Sequence, residues 1–412
     1  MLEILEKIKV LEEKYSERYK KIDDIAFKNQ LRVMEAFRKH RVSDAMFTLS
    51  SGYGYGDLGR DTADLLYAEV FECESAFVRH NIVSGTHALT IALFGLLRPG
   101  DKLLSVGGKP YDTLDEVIGI SGEAGNGSLR DFGVEYDQTE LVDGAFDYKA
   151  IKEKLTPNTK VVYIQRSKGY SVRKTLSSAE IGELVKFVKG MSDAFVVVDN
   201  CYGEFVELHE PTYYGADICV GSLIKNPGGG MAESGGYIAG TAKAVELCAY
   251  RLTSPGIGLE CGASLGQSKS IIKGLFYAPH TTAQALKTAL IAAGLFSDMG
   301  FKVSPTPEED RYDIIQTVSL DSPEQICAFC RGIQKGSPID SHVTPEPWDM
   351  PGYSSQVIMA AGTFVQGASI ELSADAPIRE PYTVYFQGGL TYESGKIGLV
   401  EAVKAVMEEM KN

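Results

Sequence analysis

Lys225 lies in the run Gly221-Ser222-Leu223-Ile224-Lys225-Asn226-Pro227-Gly228-Gly229-Gly230, directly after the apolar stretch Asp217-Ile218-Cys219-Val220. A second apolar stretch, Val196-Val197-Val198, ends in Asp199. A lysine at the end of a buried strand, walled by glycine and proline rather than by other charges, can lose its proton and form a Schiff base with an aldehyde. An aspartate at the end of a neighbouring strand can keep a pyridine nitrogen protonated, which makes the ring an electron sink. The pair points to pyridoxal 5'-phosphate.

A phosphate needs its own partners. Ser222, three residues before the lysine, offers a hydroxyl, and Ser84-Gly85-Thr86 at the start of a helix offers backbone N–H groups and the positive end of the helix dipole. Each residue also has an ordinary reading. Ser84 can be a helix cap, Ser222 a loop group, Lys225 a solvated surface charge, and Asp199 a turn residue ahead of Asn200-Cys201-Tyr202-Gly203. What favours the cofactor is the combination, in this order, of phosphate loop, strand-end Asp and strand-end Lys. His87 reads as a helix-start packing group rather than a base.

Gly54-Tyr55-Gly56-Asp57-Leu58-Gly59 matches GxGxxG ahead of a helix and admits a nicotinamide or flavin oxidoreductase as a competing reading. Its context is poor. The preceding Met46-Phe47-Thr48-Leu49-Ser50-Ser51 is a weak strand, and no acidic strand end follows at the usual distance.

Strands and helices must bring these residues together. Apolar spacing predicts two amphipathic helices in residues 1–40, and a helical pattern resumes from Asp61 to Phe77 after the Gly-rich stretch. Then come the helix over Ala88–Leu97, strands at Lys102–Val106 and Val161–Gln165, a helix opened by the capping box Ser177/Glu180, and the strand Phe195–Val198. Such alternation implies right-handed βαβ units and a mainly parallel sheet, with ligands bound beyond the carboxyl ends of its strands. A helix over Thr281–Met299 precedes the segment Ser304-Pro305-Thr306-Pro307. Strands at Ile314–Leu320, Val357–Ala361, Ser369–Leu372 and Thr383–Phe386, with helices at Pro323–Ile333 and Lys396–Met410, make a smaller α+β unit. The expected division is a helical segment over 1–45, a large cofactor-binding domain over 46–295 and a small domain over 296–412.

The chain has 412 residues, 44% of them hydrophobic, which is too much for one compact domain of ordinary size. It carries 41 basic against 55 acidic residues, a net charge of −14, with no basic block suited to a phosphate backbone. Nucleic acid is not an expected partner. Seven scattered cysteines read as reduced thiols, and Cys327 and Cys330 have helical apolar neighbours that favour buried thiols over a metal half-site. No metal site is expected. The charged start Met-Leu-Glu-Ile-Leu-Glu-Lys and the lack of a long apolar run point to a cytoplasmic protein without a membrane span.

Four segments, Ser84-Gly85-Thr86-His87-Ala88, Lys109-Pro110-Tyr111-Asp112-Thr113, Val197-Val198-Asp199-Asn200-Cys201-Tyr202 and Gly221-Ser222-Leu223-Ile224-Lys225, taken in order resemble fold-type I pyridoxal-phosphate enzymes. The group is that of the cystathionine and methionine lyases. With the loop from Gly52 to Asp61 and Ile370-Glu371-Leu372-Ser373-Ala374-Asp375, the chain is most similar to the branch called methionine gamma-lyase-like or aluminium-resistance protein, over roughly residues 45–400.

The resemblance implies an α/β fold like that of aspartate aminotransferase, with a mainly parallel sheet in the large domain and a smaller α+β domain. It implies that Lys225 carries the cofactor and shuttles the alpha proton, that Asp199 pairs with the ring nitrogen, and that Tyr111 stacks on the ring and assists the leaving group. Gly85, Thr86 and Ser222 would bind the phosphate. Tyr55 and Arg60 would reach the phosphate of a neighbouring subunit, which makes a homodimer or homotetramer with shared active sites; the other reading of Arg60 is an ion pair with Asp57 or Asp61. Arg379 would grip the carboxylate of a small amino-acid substrate, its other reading being a surface group paired with Glu380.

Two segments depart from these relatives. Where they often carry an Asn that contacts the ring hydroxyl, this chain has Gln165-Arg166-Ser167-Lys168-Gly169-Tyr170, so Gln165 or Arg166 is the candidate replacement. After the lysine, Asn226-Pro227 and three glycines replace an aromatic and Gly-His-x-Asp pattern. The expected activity is carbon–sulfur lysis of a sulfur amino acid by beta- or gamma-elimination. Amino transfer, desulfuration, aldol cleavage, or cofactor binding with little turnover in stress or metal resistance are the alternatives.

Overall fold

The computed structural model describes residues 2–411 except 172, 351, 352 and 354. Two helices open it, α1 (Leu2–Lys14) and α2 (Ser16–Lys39), as the apolar spacing predicts. Ile4, Ile8 and Leu11 of α1 join one apolar cluster, and Val33 and Ala36 of α2 join another. The leading segment is thus shared between two cores.

Asp44–Phe47 is a single 3-10 turn rather than a strand, because so short an apolar run finds no neighbouring strand to pair with. The Gly54–Gly59 loop is therefore not the strand-to-helix turn that a dinucleotide site requires. It leads into α3 (Leu58–Val70), capped by Asp57. The helical pattern expected through Phe77 ends at Val70, where Glu72 takes a φ of 51° that breaks the helix. Phe77 is instead buried in β1 (Ser75–Arg79).

The chain continues through α4 (Gly85–Leu96), β2 (Lys102–Ser105), β3 (Glu135–Gln138), β4 (Thr159–Gln165), α5 (Ser178–Lys189), β5 (Phe195–Asp199), β6 (Ile218–Ser222), β7 (Gly236–Gly240) and α6 (Ala242–Leu252). The seven strands form one sheet in the order β1-β7-β6-β5-β4-β2-β3. Strands β2 to β6 pair in parallel, and β7 runs antiparallel to both of its neighbours. Both faces are covered, and alternation divides each strand between them. Val161, Tyr163, Val197 and Val220 pack with Leu89 and Ala92 of α4, whereas Val162, Ile164, Val196 and Val198 pack with Ile181 and Leu184 of α5. The capping box of Ser177 and Glu180 opens α5.

Helix α7 (Ser268–Asp298) starts well before the expected Thr281 and accommodates Pro279 in its interior. Its face of Ile271, Leu275 and Ala278 is buried in the core, which offsets the hydrogen bond a proline forfeits. Five antiparallel strands follow, β8 (Lys302–Ser304), β9 (Gln316–Ser319), β10 (Val357–Ala360), β11 (Leu372–Pro377) and β12 (Thr383–Gly388), in the order β8-β9-β12-β11-β10. Helices α8 (Pro323–Lys335) and α9 (Tyr392–Glu409) share the apolar cluster of this sheet. The strand expected over 369–372 begins only at Leu372. The Glu371 carboxylate accepts the N–H groups of Phe364 and Val365, which holds that residue in a turn.

Cys327 and Cys330 are buried, and all seven cysteines are free. Among the described residues no helix is long and apolar enough to cross a membrane, and no group of His, Cys, Asp or Glu could hold a metal ion.

Candidate active site

Strands β4, β5 and β6 are adjacent and parallel, so Gln165, Asp199 and Ser222 end at one edge of the sheet. Gln165 and Asp199 are register partners. Asp199 is buried. Its Oδ1 accepts the Cys201 N–H at 3.1 Å, and its Oδ2 accepts the Tyr163 hydroxyl at 3.5 Å. A carboxylate so placed retains lone pairs for a further donor.

One turn after β6, the Lys225 ammonium sits 4.0 Å from the centre of the Tyr202 ring. Burial disfavours its charge, but Cys201, Tyr202 and Asp199 outweigh burial, so the lysine pKa stands above its usual value. This corrects the expectation that only glycine and proline wall the lysine. The chain that leaves β5 brings a carboxylate, a thiol and a phenol against it, neighbours in space but not in sequence.

Ser222 Oγ is buried without a hydrogen-bond partner among the described residues. Opposite it stands the start of α4. A methyl group added at Gly85 would meet Cys201 Sγ at 3.4 Å, Ser222 Cβ at 3.7 Å and Lys225 Nζ at 4.0 Å, so this glycine faces the lysine and the serine directly. Ser84 caps α4 by accepting the His87 N–H at 3.0 Å, and His87 Nδ1 accepts the Val83 N–H, which makes His87 part of the helix start. The Thr86 hydroxyl is engaged with that of Thr113 at 2.7 Å. The N–H groups of Gly85 and Thr86, an orphaned hydroxyl and a helix N-terminus together fit a phosphate, and a strand-end carboxylate beside a lysine fits a pyridine ring bearing an aldehyde.

The Tyr111 hydroxyl is 2.6 Å from that of Tyr353, and burial holds its pKa well above the usual phenol value. Gly169, at a φ of 55°, lets Gln165 and Tyr111 approach: a side chain there would come within 2.8 Å of Gln165 Nε2 and 3.1 Å of Tyr111 Cδ2. Gln165 Oε1 is buried with no partner among the described residues. The alternative offered by Arg166 is overturned. Its guanidinium points into the core, where it donates to Asn200 Oδ1 at 2.7 Å, to the Gly203 carbonyl at 3.0 Å and to the carboxylates of Glu207 and Glu210.

Arg379 lies just beyond β11 and lines a cavity of about 520 Å³ together with Tyr111, Gln165, Lys168, Tyr170 and Arg173. Tyr55 and Arg60 are placed apart from this group. Tyr55 is exposed and stacks on Tyr53, whereas the Arg60 guanidinium donates to Asp61 and to the carbonyls of Gly54 and Gly262 within its own chain.

Several site residues escaped the sequence reading: Tyr202 under the lysine, Tyr163 beside Asp199, and Tyr170, Tyr353 and Asp375 around Tyr111. Tyr202 carries no local signal, although its φ of 73° is unusual for a residue with a side chain. Asp375 alternates with apolar residues on its strand, and that pattern signals a buried polar face.

A family model for methionine gamma-lyase matches residues 4–407. An uncharacterised Bacillus subtilis protein, YnbB, is 53% identical over 95% of this chain and 93% of its own length. A crystal structure from Listeria monocytogenes, provisionally designated a cystathionine beta-lyase involved in aluminium resistance, superposes with a TM-score of 0.95 at 50% identity, covering 97% of this chain and 99% of that one. A carbon-sulfur lyase involved in aluminium resistance from Clostridium novyi superposes with a TM-score of 0.93 at 50% identity, covering 98% of this chain and 96% of that one. The chain belongs to the methionine gamma-lyase family, with the fold-type I architecture and the pyridoxal 5'-phosphate cofactor of that family.

Proposed function

We propose that the protein is a carbon–sulfur lyase that releases a thiol from a sulfur amino acid by beta- or gamma-elimination, with one water consumed in leaving a 2-oxo acid and ammonia. The observation that carries this reading is the meeting of Lys225, Asp199 and the orphaned Ser222 hydroxyl at one sheet edge. The names of the Listeria and Clostridium relatives support the reaction class.

When bound, pyridoxal phosphate supplies an electron sink for the substrate's alpha carbon. Lys225 binds the cofactor through Nζ, then takes and returns the alpha proton at that atom. Asp199 holds the proton on the ring nitrogen. Ser222 Oγ and the N–H groups of Gly85 and Thr86 bind the phosphate, and Tyr111 and Gln165 border the ring. Because burial keeps the Tyr111 hydroxyl protonated, it can donate to the departing sulfur. Arg379, at the mouth of the cavity, receives the alpha carboxylate.

In the same reading the enzyme is a cytoplasmic homodimer or homotetramer, in which Tyr55 and Arg60 serve a neighbouring subunit's phosphate. The two sheets with their separate apolar clusters support a division into a large domain over 46–295 and a small one over 296–412.

The test is Lys225→Ala, assayed by absorbance of the purified protein and by thiol release from a panel of sulfur amino acids. Loss of both the visible cofactor band and thiol release is expected. Retention of either overturns the assignment.

A further inference from the structure

A second cavity, of about 190 Å³, adjoins the active-site cavity and shares Lys168, Ser171 and Arg173 with it. Its floor is the second sheet. Val303, Val318 and Val384 belong to the apolar cluster shared with α8 and α9, so alternation turns Lys302, Ser319 and Thr383 to the opposite face. Those three are register neighbours across β8, β9 and β12, and Ser304, Thr317 and Tyr385 form the next row on that face. Both rows line the cavity. The facing wall is the segment after β4, with Lys168, Arg173 and Lys174.

The lining is cationic, and no described residue in it is acidic. Lys174 is paired with Glu180, whereas Lys168, Arg173 and Lys302 have no ion pair among the described residues. Lys168 is only 2% exposed. Its ammonium donates to the carbonyl of Ser304 at 3.1 Å and to Ser304 Oγ at 3.4 Å, which leaves a donor over. The Arg173 guanidinium donates to the carbonyls of Gln165, Ser167 and Lys174 and likewise keeps donors in hand. Ser319 and Thr383 bond each other at 3.1 Å, so one of their two hydroxyl protons is free to point outward.

Buried charges are normally paired, and these are not. Burial holds the Lys168 pKa below the usual lysine value and brings that of Arg173 down to about 10. Asp313 is the main charge opposing both shifts, and its oxygens are already taken by the Thr175 hydroxyl and the Ile315 N–H. The cluster lacks an anion.

We propose that this cavity is a binding site for a small free oxyanion of the sulfate or phosphate type, distinct from the cofactor's phosphate site and from the substrate cavity beside it. Its volume suits an ion, since pockets for whole small molecules run to about 300–1,000 Å³. Donors approach from two facing walls, which matches oxygens in a tetrahedron better than the single plane of a carboxylate. The bound ion ties the segment after β4 to the second sheet.

Inorganic sulfate is the probe, used on the holoenzyme because bound cofactor fills the phosphate site at Ser222 and Gly85. Sulfate should bind saturably by calorimetry and raise the thermal midpoint above that in chloride of equal ionic strength, with the visible cofactor band unchanged. Lys168→Gln should weaken binding by about 10-fold or more, the scale of a hydrogen bond to a charged group. Lys302→Gln changes an exposed residue outside the substrate cavity. It should weaken binding by about 2- to 5-fold, the scale of an exposed ion pair, and serves where Lys168→Gln fails to fold. Arg379→Gln, which alters only the neighbouring cavity, should leave the affinity as it is.

The absence of saturable binding beyond that of chloride, or an affinity that neither lysine substitution lowers, overturns the site. Loss on Arg379→Gln alone would seat the ion in the substrate cavity, and fading of the visible band as sulfate is added would seat it in the cofactor's place. Either result overturns the site as well.

Discussion

The ammonium of Lys225 and the ring of Tyr202 stand 4.0 Å apart, and both residues are half-buried. The contact is held from the backbone. Tyr202 sits at a φ of 73°, and its carbonyl accepts both Asn226 Nδ2 at 3.0 Å and the Ile314 N–H at 3.2 Å. Asn226 follows the lysine directly, so one amide ties the lysine turn to the tyrosine turn. A cation–π contact is worth about 0.5–2 kcal/mol. Tyr202→Phe should preserve the rate at which apoprotein recovers its visible band on adding cofactor, whereas Tyr202→Leu should slow it by roughly 2- to 30-fold. Equal rates in the two variants would assign the ring a purely space-filling role.

Ser222→Ala separates cofactor binding from folding. The hydroxyl has no partner among the described residues, so the cofactor-free variant should unfold within about 0.5 kcal/mol of the parent. Its affinity for pyridoxal phosphate should fall by about 10-fold or more, the cost of one hydrogen bond to a charged group. Thermal unfolding with and without cofactor reads both quantities. A destabilised cofactor-free protein with unchanged affinity would make the serine structural.

Asp199→Asn should retain the cofactor, whose phosphate contacts lie elsewhere, yet lose about 100-fold or more in turnover, as expected when one preorganised charge is removed from a reacting centre. Comparing the absorbance of the bound cofactor with the rate of thiol release distinguishes this from simple cofactor loss.

Glu204 predicts the pH dependence of stability. It is wholly buried behind the lysine turn, its Oε1 accepts the Tyr237 hydroxyl at 2.9 Å, and burial pushes its pKa from 4.5 up to about 8. The folded protein therefore keeps a proton that the unfolded chain releases. The associated stability is full below pH 4.5 and is lost as pH rises through about 8. Glu204→Gln, which cannot titrate, should flatten that decline in urea titrations run across the interval. An unchanged slope would show that other groups set it.

Arg166 lies wholly inside, between Glu207 and Glu210. Arg166→Met leaves those carboxylates without their cation and should cost about 3–5 kcal/mol in denaturant unfolding, with no change in the absorbance of bound cofactor. A shift of that band with stability preserved would return Arg166 to the site.

Lys225, Asp199, Ser222 and Gly85 were legible in the linear chain because each stands where a local pattern stops. The lysine, the aspartate and the serine follow or close apolar runs, and the glycine follows a helix cap. Local patterns also mark β4 and β5, whose continuous apolar runs suit strands covered on both faces. The helix expected through Phe77 and the strand expected over 369–372 failed for a different reason. There a left-handed residue at Glu72 and a side-chain clasp from Glu371 overrode periodicity, and neither shows in spacing.

The amino-acid sequence by itself determined which groups stand at the ends of elements, since residue type and apolar patterning suffice to place a lysine, a carboxylate and a hydroxyl at strand ends and a glycine at a helix start. Only the tertiary structure decided which groups surround them. Tyr353 and Asp375 lie more than a hundred residues from Lys225 in the chain; Tyr353, from the segment before β10, meets Tyr111, and Asp375, on a strand of the second sheet, meets Tyr170. It also turned Gln165 toward the site and Arg166 into the core, and set Asp199, Cys201 and Tyr202 against the lysine. Such contacts come from the packing of two sheets and the direction of each strand face, which no run of neighbouring residues encodes.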